Sequence, residues 1–392
     1  MNKIQMVDLK GQYEKIKTEI DAGIQEVINN TQFIKGPQIK SFEESLAKEL
    51  GVKHVIACAN GTDALQIAMM ALDLRPGDEV ILPVFTYVAT AEVIALLGLT
   101  PIMVDVNKDT FCIDTDLIEA KITAKTKAIV PVHLFGQCAN MDEVMRIANK
   151  HKLFVIEDTA QAIGSEYQFN SASNMMSVNG SSDEETTRKA GTIGHVGTTS
   201  FFPSKNLGCY GDGGALMCND DEIASKIRMI CNHGQRVQYV HDVIGVNSRL
   251  DSIQAAILNA KLPHLKAYEI ARQNAASWYD ELLGNHPNIL IPKRVENSTH
   301  VFHQYTMQLV GVDRDKLRAL LAENGIPSMV YYPIELHKQK AFEIYNKEGE
   351  SFPVSAQLCQ TVLSLPMHTE LSKETVTFIA KNVISGIDSL LV

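Results

Sequence analysis

Short apolar runs separated by helical stretches, repeated from Val52 to Asp158, constrain this chain more than any other feature. Val52–Ala57, Asp78–Pro83, Thr100–Asp105, Thr126–Pro131 and Leu153–Glu157 read as strands. Helical patterns lie between them: from Thr62 or Asp63 through Leu72, from Phe85–Thr90 on to Leu97, over Thr115–Ile122 and over Met141–His151. Strands that are apolar throughout are buried on both faces. The alternation therefore predicts an α/β domain whose parallel sheet is covered by helices on both sides. Ligands of such sheets gather beyond the carboxyl ends of the strands. Asn60-Gly61-Thr62, Phe85-Thr86-Tyr87, His133 and Asp158 all follow strands and are candidates for one crevice.

Ahead of this region, Tyr13–Asn29 and Gln38–Leu50 carry helical periods, the second stopped by Gly51. Beyond it, the stretch 169–194 is polar and rich in Ser, Asn, Gly and Thr, and reads as a surface excursion, a long loop or hairpin. Helices follow at Asp221–Cys231, Leu250–Leu262 and Pro263–Leu283, the last bridging to a second domain. There, strands at Gln304–Val310 and Ser328–Tyr331 and helices at Arg314–Asn324 and Lys373–Leu391 predict a smaller α+β unit. The expected division is a large domain over 1–262 and a small C-terminal one over 263–392.

Composition narrows the function. The 392 residues carry a formal charge of −10 and no long basic block, which disfavours a nucleic-acid partner. Cys58, Cys112, Cys138, Cys209, Cys218, Cys231 and Cys359 are scattered and never form a CxxC pair, so a reducing compartment and no zinc site are expected. The N-terminal stretch lacks the apolar core of a signal peptide and no apolar run is long enough to span a bilayer, so the expectation is a cytoplasmic protein with no membrane partner.

The stretch Thr199–Ala215, TSFFPSKNLGCYGDGGA, sets Lys205 between hydroxyl residues and glycines, off any ordinary helix face. Its amine is a candidate for covalent chemistry with an aldehyde cofactor, the alternative being a plain loop lysine. Asp158, in IEDTAQAIG, ends an apolar strand and needs a partner for its charge, which a protonated pyridine nitrogen supplies. A helix N-cap is the other reading of Asp158. Gly61-Thr62, opening a helix after a strand, and Ser200 offer amides and hydroxyls to a phosphate, and Tyr87 a ring to stack. His133 is either a satisfied polar residue or an acid. No GxGxxG follows the first strand, which argues against a Rossmann dehydrogenase.

CANGTDALQIA, FTYVATAE, PVHLFGQCANMDEV, IEDTAQAIG, SFFPSKNLGCYGDGGA and GVNSRLDSIQAAIL, in this order, resemble the DegT/DnrJ/EryC1/StrS sugar aminotransferases, from Val7 to Ser364 apart from the 169–194 excursion. The resemblance implies a fold type I pyridoxal 5'-phosphate transferase, with a mostly parallel seven-stranded sheet in the large domain. It assigns Lys205 to hold the cofactor as an imine and to carry the proton, Asp158 to the pyridine nitrogen and Gln161 to the phenolic oxygen. Gly61, Thr62 and Ser200 would hold the phosphate, and Tyr87 would stack. Asn247 would reach the phosphate of a neighbouring subunit, implying a homodimer, and Arg249 would receive the donor carboxylate. The reaction implied is ping-pong, from L-glutamate to a UDP-linked keto sugar. The motifs are most similar to the branch that aminates C3 of UDP-2-acetamido-2-deoxy-3-oxo-D-glucuronate for O-antigen or capsule-type polysaccharide. Arg236 and Lys338 are candidates for the uronate and diphosphate. A 4-keto or 3-keto 6-deoxy sugar, a sugar dehydratase and a non-catalytic regulatory protein are the alternatives, Lys205 arguing against the dehydratase.

Overall fold

The structure, a computed structural model, describes residues 3–170, 186–347 and 349–391. Among these, seven strands form the central sheet: β1 (His54–Cys58), β2 (Glu79–Pro83), β3 (Thr100–Val104), β4 (Thr126–Ile129), β5 (Phe154–Asp158), β6 (Val196–Ser200) and β7 (Gly214–Cys218). Their order across the sheet is β1-β7-β6-β5-β4-β2-β3. Neighbours pair in parallel except that β7 runs antiparallel to both β1 and β6. The mostly parallel seven-stranded sheet is thus the observed core.

Side-chain alternation explains how both faces are covered. Ile56, Val80, Leu82, Ile156 and Leu216 point to one face, under the helices Gly61–Ala71, Ala89–Leu96 and Asp221–Ile230. Val55, Ala57, Ala215 and Met217 point to the other, against the helices Pro37–Leu50 and Ser252–Lys261. The helix Met141–His151 covers that face farther along, over Ile129 and Val155. The helix Gly61–Ala71 is apolar nearly all round because it is buried nearly all round. It begins one residue before Thr62, where Asn60 in extended backbone accepts the Asp63 N–H at 2.8 Å.

A second, antiparallel sheet orders β8 (Ile289–Leu290), β9 (Tyr305–Leu309) and β10 (Val362–Leu365) side by side. The helices Leu265–Leu283, Arg314–Glu323 and Lys373–Leu391 pack against it around Tyr279, Leu317, Val376 and Val383. Asp105, just past β3, ties this part to the first: its carboxylate accepts the N–H groups of Val354 and Ser355 at 2.9 and 3.0 Å, in the first turn of the helix Pro353–Thr361.

Several local expectations change. Thr115–Ile122 forms two 3-10 turns, Thr115–Leu117 and Glu119–Lys121, rather than one helix. Ser328–Tyr331 is no strand; Met329 makes a single bridge to Ser364, and Pro327 and Pro333 on either side cannot extend a ladder. The first helix is broken at Ile16 into Leu9–Lys15 and Lys17–Asn30. At the ends of the excursion Glu166–Gln168 pairs antiparallel with Thr187–Lys189; the intervening 171–185 lie outside the described residues.

Candidate active site

A cavity of about 770 Å³ opens beyond the carboxyl ends of β1, β2 and β5. Gly61, Thr62, Tyr87, Asp158, Gln161, Ser200 and Lys205 all line it, so seven residues predicted from scattered motifs meet in one place. Asn247, Arg249, Arg236 and Lys338 do not line it. Asn247 is exposed and bridges Asn232; Arg249 and Arg236 line a separate groove; Arg236 sits 3.8 Å from Asp242; and Lys338 pairs with Glu335 at 2.6 Å. Among the described residues, Lys205 is the only lysine or arginine on the cavity wall.

Asp158 closes β5 and is buried. Its carboxylate accepts from Thr90 Oγ1 and from the Ala160 N–H, each at 3.1 Å. That local bond turns the chain, and no helix follows, so the N-cap reading of Asp158 falls away. Burial lifts its pKa; the Ala160 amide and the Lys205 ammonium oppose that rise.

Lys205 sits in a tight turn between β6 and β7, its own N–H donating to the Phe202 carbonyl at 2.8 Å. The side chain is half-buried. Desolvation lowers the amine to about 8, with Asp158 pulling it back up. An amine so placed is available as a nucleophile and as a base near neutral pH.

At the start of the helix Gly61–Ala71 the backbone runs against β6 and β7. A Cβ on Gly61 would lie 2.7 Å from the Ser200 Cβ, and one on Gly214 would lie 2.4 Å from the Asn60 carbonyl. The close approach keeps the first amides of the helix and the Ser200 hydroxyl on one small concave wall. Amides without helical partners, at the positive end of a helix, make that wall an anion cradle.

Gln161 is fixed from both ends: its Oε1 accepts the Phe135 N–H at 2.9 Å and its Nε2 donates to Tyr332 Oη at 3.2 Å. Tyr332 stands 6.4 Å, ring centre to ring centre, from the exposed Tyr87. Sequence reasoning missed Thr90, His303, Gln304, Tyr331 and Tyr332. The last four come from the small sheet's side of the chain, and nothing local to them signals a cavity whose other walls lie far back along the chain. His133 resolves as a satisfied polar residue. It is fully buried, its Nδ1 accepts the Ala139 N–H at 3.1 Å, and its Nε2–H donates to Glu157 at 2.9 Å.

The arrangement supplies an amine, a buried carboxylate, an anion cradle and an aromatic wall around one volume, which suits an anionic aromatic cofactor that bonds to an amine. Comparison with known proteins agrees with that geometry. The model of the DegT/DnrJ/EryC1/StrS aminotransferase family matches residues 14–384. The chain is 46% identical over 376 residues to the UDP-2-acetamido-2-deoxy-3-oxo-D-glucuronate aminotransferase of Pseudomonas aeruginosa, covering 96% of this chain and 98% of that one. It is 44% identical over 383 residues to the pleiotropic regulatory protein of Geobacillus stearothermophilus, covering 97% of each. It is also 44% identical over 378 residues to the UDP-N-acetyl-3-dehydro-alpha-D-glucosamine 3-aminotransferase of Acidithiobacillus ferrooxidans, covering 96% of each. Among solved structures, a DegT DnrJ EryC1 StrS aminotransferase from Brucella abortus superposes with a TM-score of 0.90 at 40% identity, covering 98% of this chain and 99% of that one. The ntda structure from Bacillus subtilis with bound cofactor PMP gives 0.88 at 31% identity, covering 99% and 86%.

Proposed function

Because the chain belongs to the DegT/DnrJ/EryC1/StrS aminotransferase family, we propose that it moves the amino group of L-glutamate to the C3 ketone of UDP-2-acetamido-2-deoxy-3-oxo-D-glucuronate. The product is a diamino uronate for surface polysaccharide. The single observation that carries the chemistry is the meeting of the Lys205 amine and the buried Asp158 carboxylate on one cavity whose far wall is the Gly61–Ser200 cradle.

The residues fit pyridoxal phosphate. The narrow wall formed by Gly61, Thr62 and Ser200 would hold the phosphate, Asp158 would serve the pyridine nitrogen, Gln161 the phenolic oxygen, Tyr87 the ring and Lys205 the aldehyde carbon. When bound, the cofactor supplies an electron sink for bond changes at the substrate carbon. The chain's own part is to hold and to move a proton. Asp158, kept ionised by a cationic partner, orients the ring. Lys205 removes a proton from the donor carbon in the first half and delivers one to the former ketone carbon in the second.

A homodimer belongs to the same proposal. Asn247 and Arg249, absent from the cavity of their own chain, act at the partner's site, Asn247 on the phosphate and Arg249 on the donor carboxylate. Arg236 and Lys338 remain the proposed contacts for the uronate and the diphosphate. The division into domains 1–262 and 263–392 is also proposed; the separate apolar cluster around Tyr279 and Val383 supports it.

A neutral acceptor, the 3-keto form of UDP-N-acetylglucosamine, is a second reading. What favours it is that Lys205 alone, among the described residues of one chain, brings a positive charge to the cavity wall. A non-catalytic regulator is disfavoured by the retained amine, carboxylate and cradle. The deciding experiment loads the enzyme with the amino group from glutamate, removes the excess, and offers each keto sugar in a single-turnover absorbance assay, generating the unstable uronate in place with its dehydrogenase. Recovery of the starting spectrum with the uronate alone supports the proposal; recovery only with the neutral 3-keto sugar or a 4-keto sugar overturns the acceptor.

A further inference from the structure

Lys261, the last residue of the helix Ser252–Lys261, is 1% exposed. Its described neighbours are a carbonyl, an aromatic ring and the Cys209 thiol, not a carboxylate. A buried ammonium without a counter-charge is costly, and burial lowers its pKa to about 8. A methionine would fill similar space without that cost, so the contacts of the amine hold the explanation.

Lys261 Nζ donates to the Gly208 carbonyl at 2.7 Å and lies 4.4 Å from the centre of the Tyr210 ring. Two turns earlier on the same helix face, Gln254 Oε1 accepts the Tyr210 N–H at 2.8 Å. The helix therefore grips the turn between β6 and β7 at two points. This is the turn that carries Lys205. Its base is closed by the Cys209 N–H donating to the Phe201 carbonyl at 2.8 Å. A Cβ on Gly208 would lie 2.4 Å from the Pro203 carbonyl oxygen, so the two ends of the turn are in contact. Lys205 lies between these two contacting residues.

We propose that Lys261 is a positioning residue for Lys205: through the Gly208 carbonyl and the Tyr210 ring, its buried ammonium holds the turn that presents the Lys205 amine to the cavity. The inference rests on the aminotransferase reading of Lys205. Its test compares the holoenzymes of wild type, Lys261→Met, Lys261→Arg and Tyr210→Leu. Two quantities are read: the glutamate half-reaction in single turnover, and the pH midpoint of the bound cofactor's visible absorbance. Lys261→Met slows the half-reaction about 10- to 100-fold at saturating glutamate, the cost of a small misplacement of a reacting group. The half-saturating glutamate concentration stays within about two-fold, because the contact is not to substrate. The absorbance midpoint shifts, Lys261→Arg returns it toward wild type, and Tyr210→Leu shifts it in the same direction as Lys261→Met. A wild-type rate and midpoint in Lys261→Met overturns the proposal, as does a defect confined to glutamate affinity. Should Lys261→Met not fold, a wild-type midpoint in Tyr210→Leu overturns it. A wild-type chain that binds the cofactor yet does not deaminate glutamate counts against the aminotransferase reading instead, and leaves the midpoint comparison to decide the role of Lys261.

Discussion

Asp158 and Lys205 face the same cavity with opposed perturbations: burial lifts the carboxyl and lowers the amine to about 8, and each charge pulls the other back toward its ordinary state. Neither group is at ease in the bare protein. Both gain when a cationic ring nitrogen and an aldehyde enter.

Asp158→Asn separates function from stability. A carboxyl whose folded pKa is raised by burial penalises the folded state increasingly as pH rises from the unfolded value of 3.8 through the folded one, so removing the charge relieves the cofactor-free protein at pH 7. The cofactor-free variant melts at or above the wild-type temperature by calorimetry. Turnover of the loaded enzyme falls by about 10²- to 10³-fold, as for other losses of a preorganised charge. A variant that is both less stable and fully active contradicts this role.

Lys205→Met tests the lowered amine. A lysine whose folded pKa is about 8 and whose unfolded value is 10.5 penalises the folded state at neutral pH, and the penalty fades as pH rises between those values. The cofactor-free variant therefore melts above wild type at pH 7, and the difference shrinks toward zero by about pH 10.5. A pH-independent difference across that window contradicts the assignment. Turnover is lost at every pH.

Gly61→Ala closes the cradle. Its Cβ would stand 2.7 Å from that of Ser200, and the helix start must retreat from β6. Affinity for pyridoxal phosphate, followed by fluorescence titration, weakens by about ten-fold or more, with about 1–3 kcal/mol lost from the fold. Gly214→Ala meets the Asn60 backbone in the same way and loses stability comparably.

Glu157→Gln strikes the support behind the site. The buried carboxylate accepts from His133 Nε2 and from the N–H groups of Gly191, Ile193 and Gly194 at 2.6 to 2.9 Å. An amide offers donors where the pocket also offers donors. Denaturant unfolding is expected to show a loss of about 1–3 kcal/mol, the scale for leaving buried hydrogen-bonding groups unsatisfied.

The parallel sheet was legible because its strands are apolar on both faces, and the end of the helix Pro37–Leu50 because Gly51 carries its own stop chemistry; the Asn60 cap passes for a turn residue in the sequence, which places the next helix start one or two residues late. Gly61, Thr62, Tyr87 and Asp158 were legible because each follows a predicted strand, Ser200 and Lys205 because of the hydroxyl- and glycine-rich stretch around them, and Gln161 only through the family resemblance. Val196–Ser200 escaped notice because Gly197, Thr198 and Thr199 carry no apolar pattern, though all are buried in the sheet. Tyr331 and Tyr332 reach the cavity by tertiary packing, which leaves no local trace. Arg236, Arg249, Asn247 and Lys338 mark the other boundary: side chains whose proposed partners lie on substrate or on a second subunit cannot be placed by one chain's periodicity.

The most direct test of the central claim is the stoichiometry of the first half-reaction. Purified protein loaded with pyridoxal phosphate is mixed with L-glutamate, with no acceptor, and 2-oxoglutarate is quantified against bound cofactor. One 2-oxoglutarate per chain, with loss of the visible absorbance and neither change in Lys205→Ala, is the result predicted for an aminotransferase. Wild-type protein that binds the cofactor but releases no 2-oxoglutarate contradicts the account.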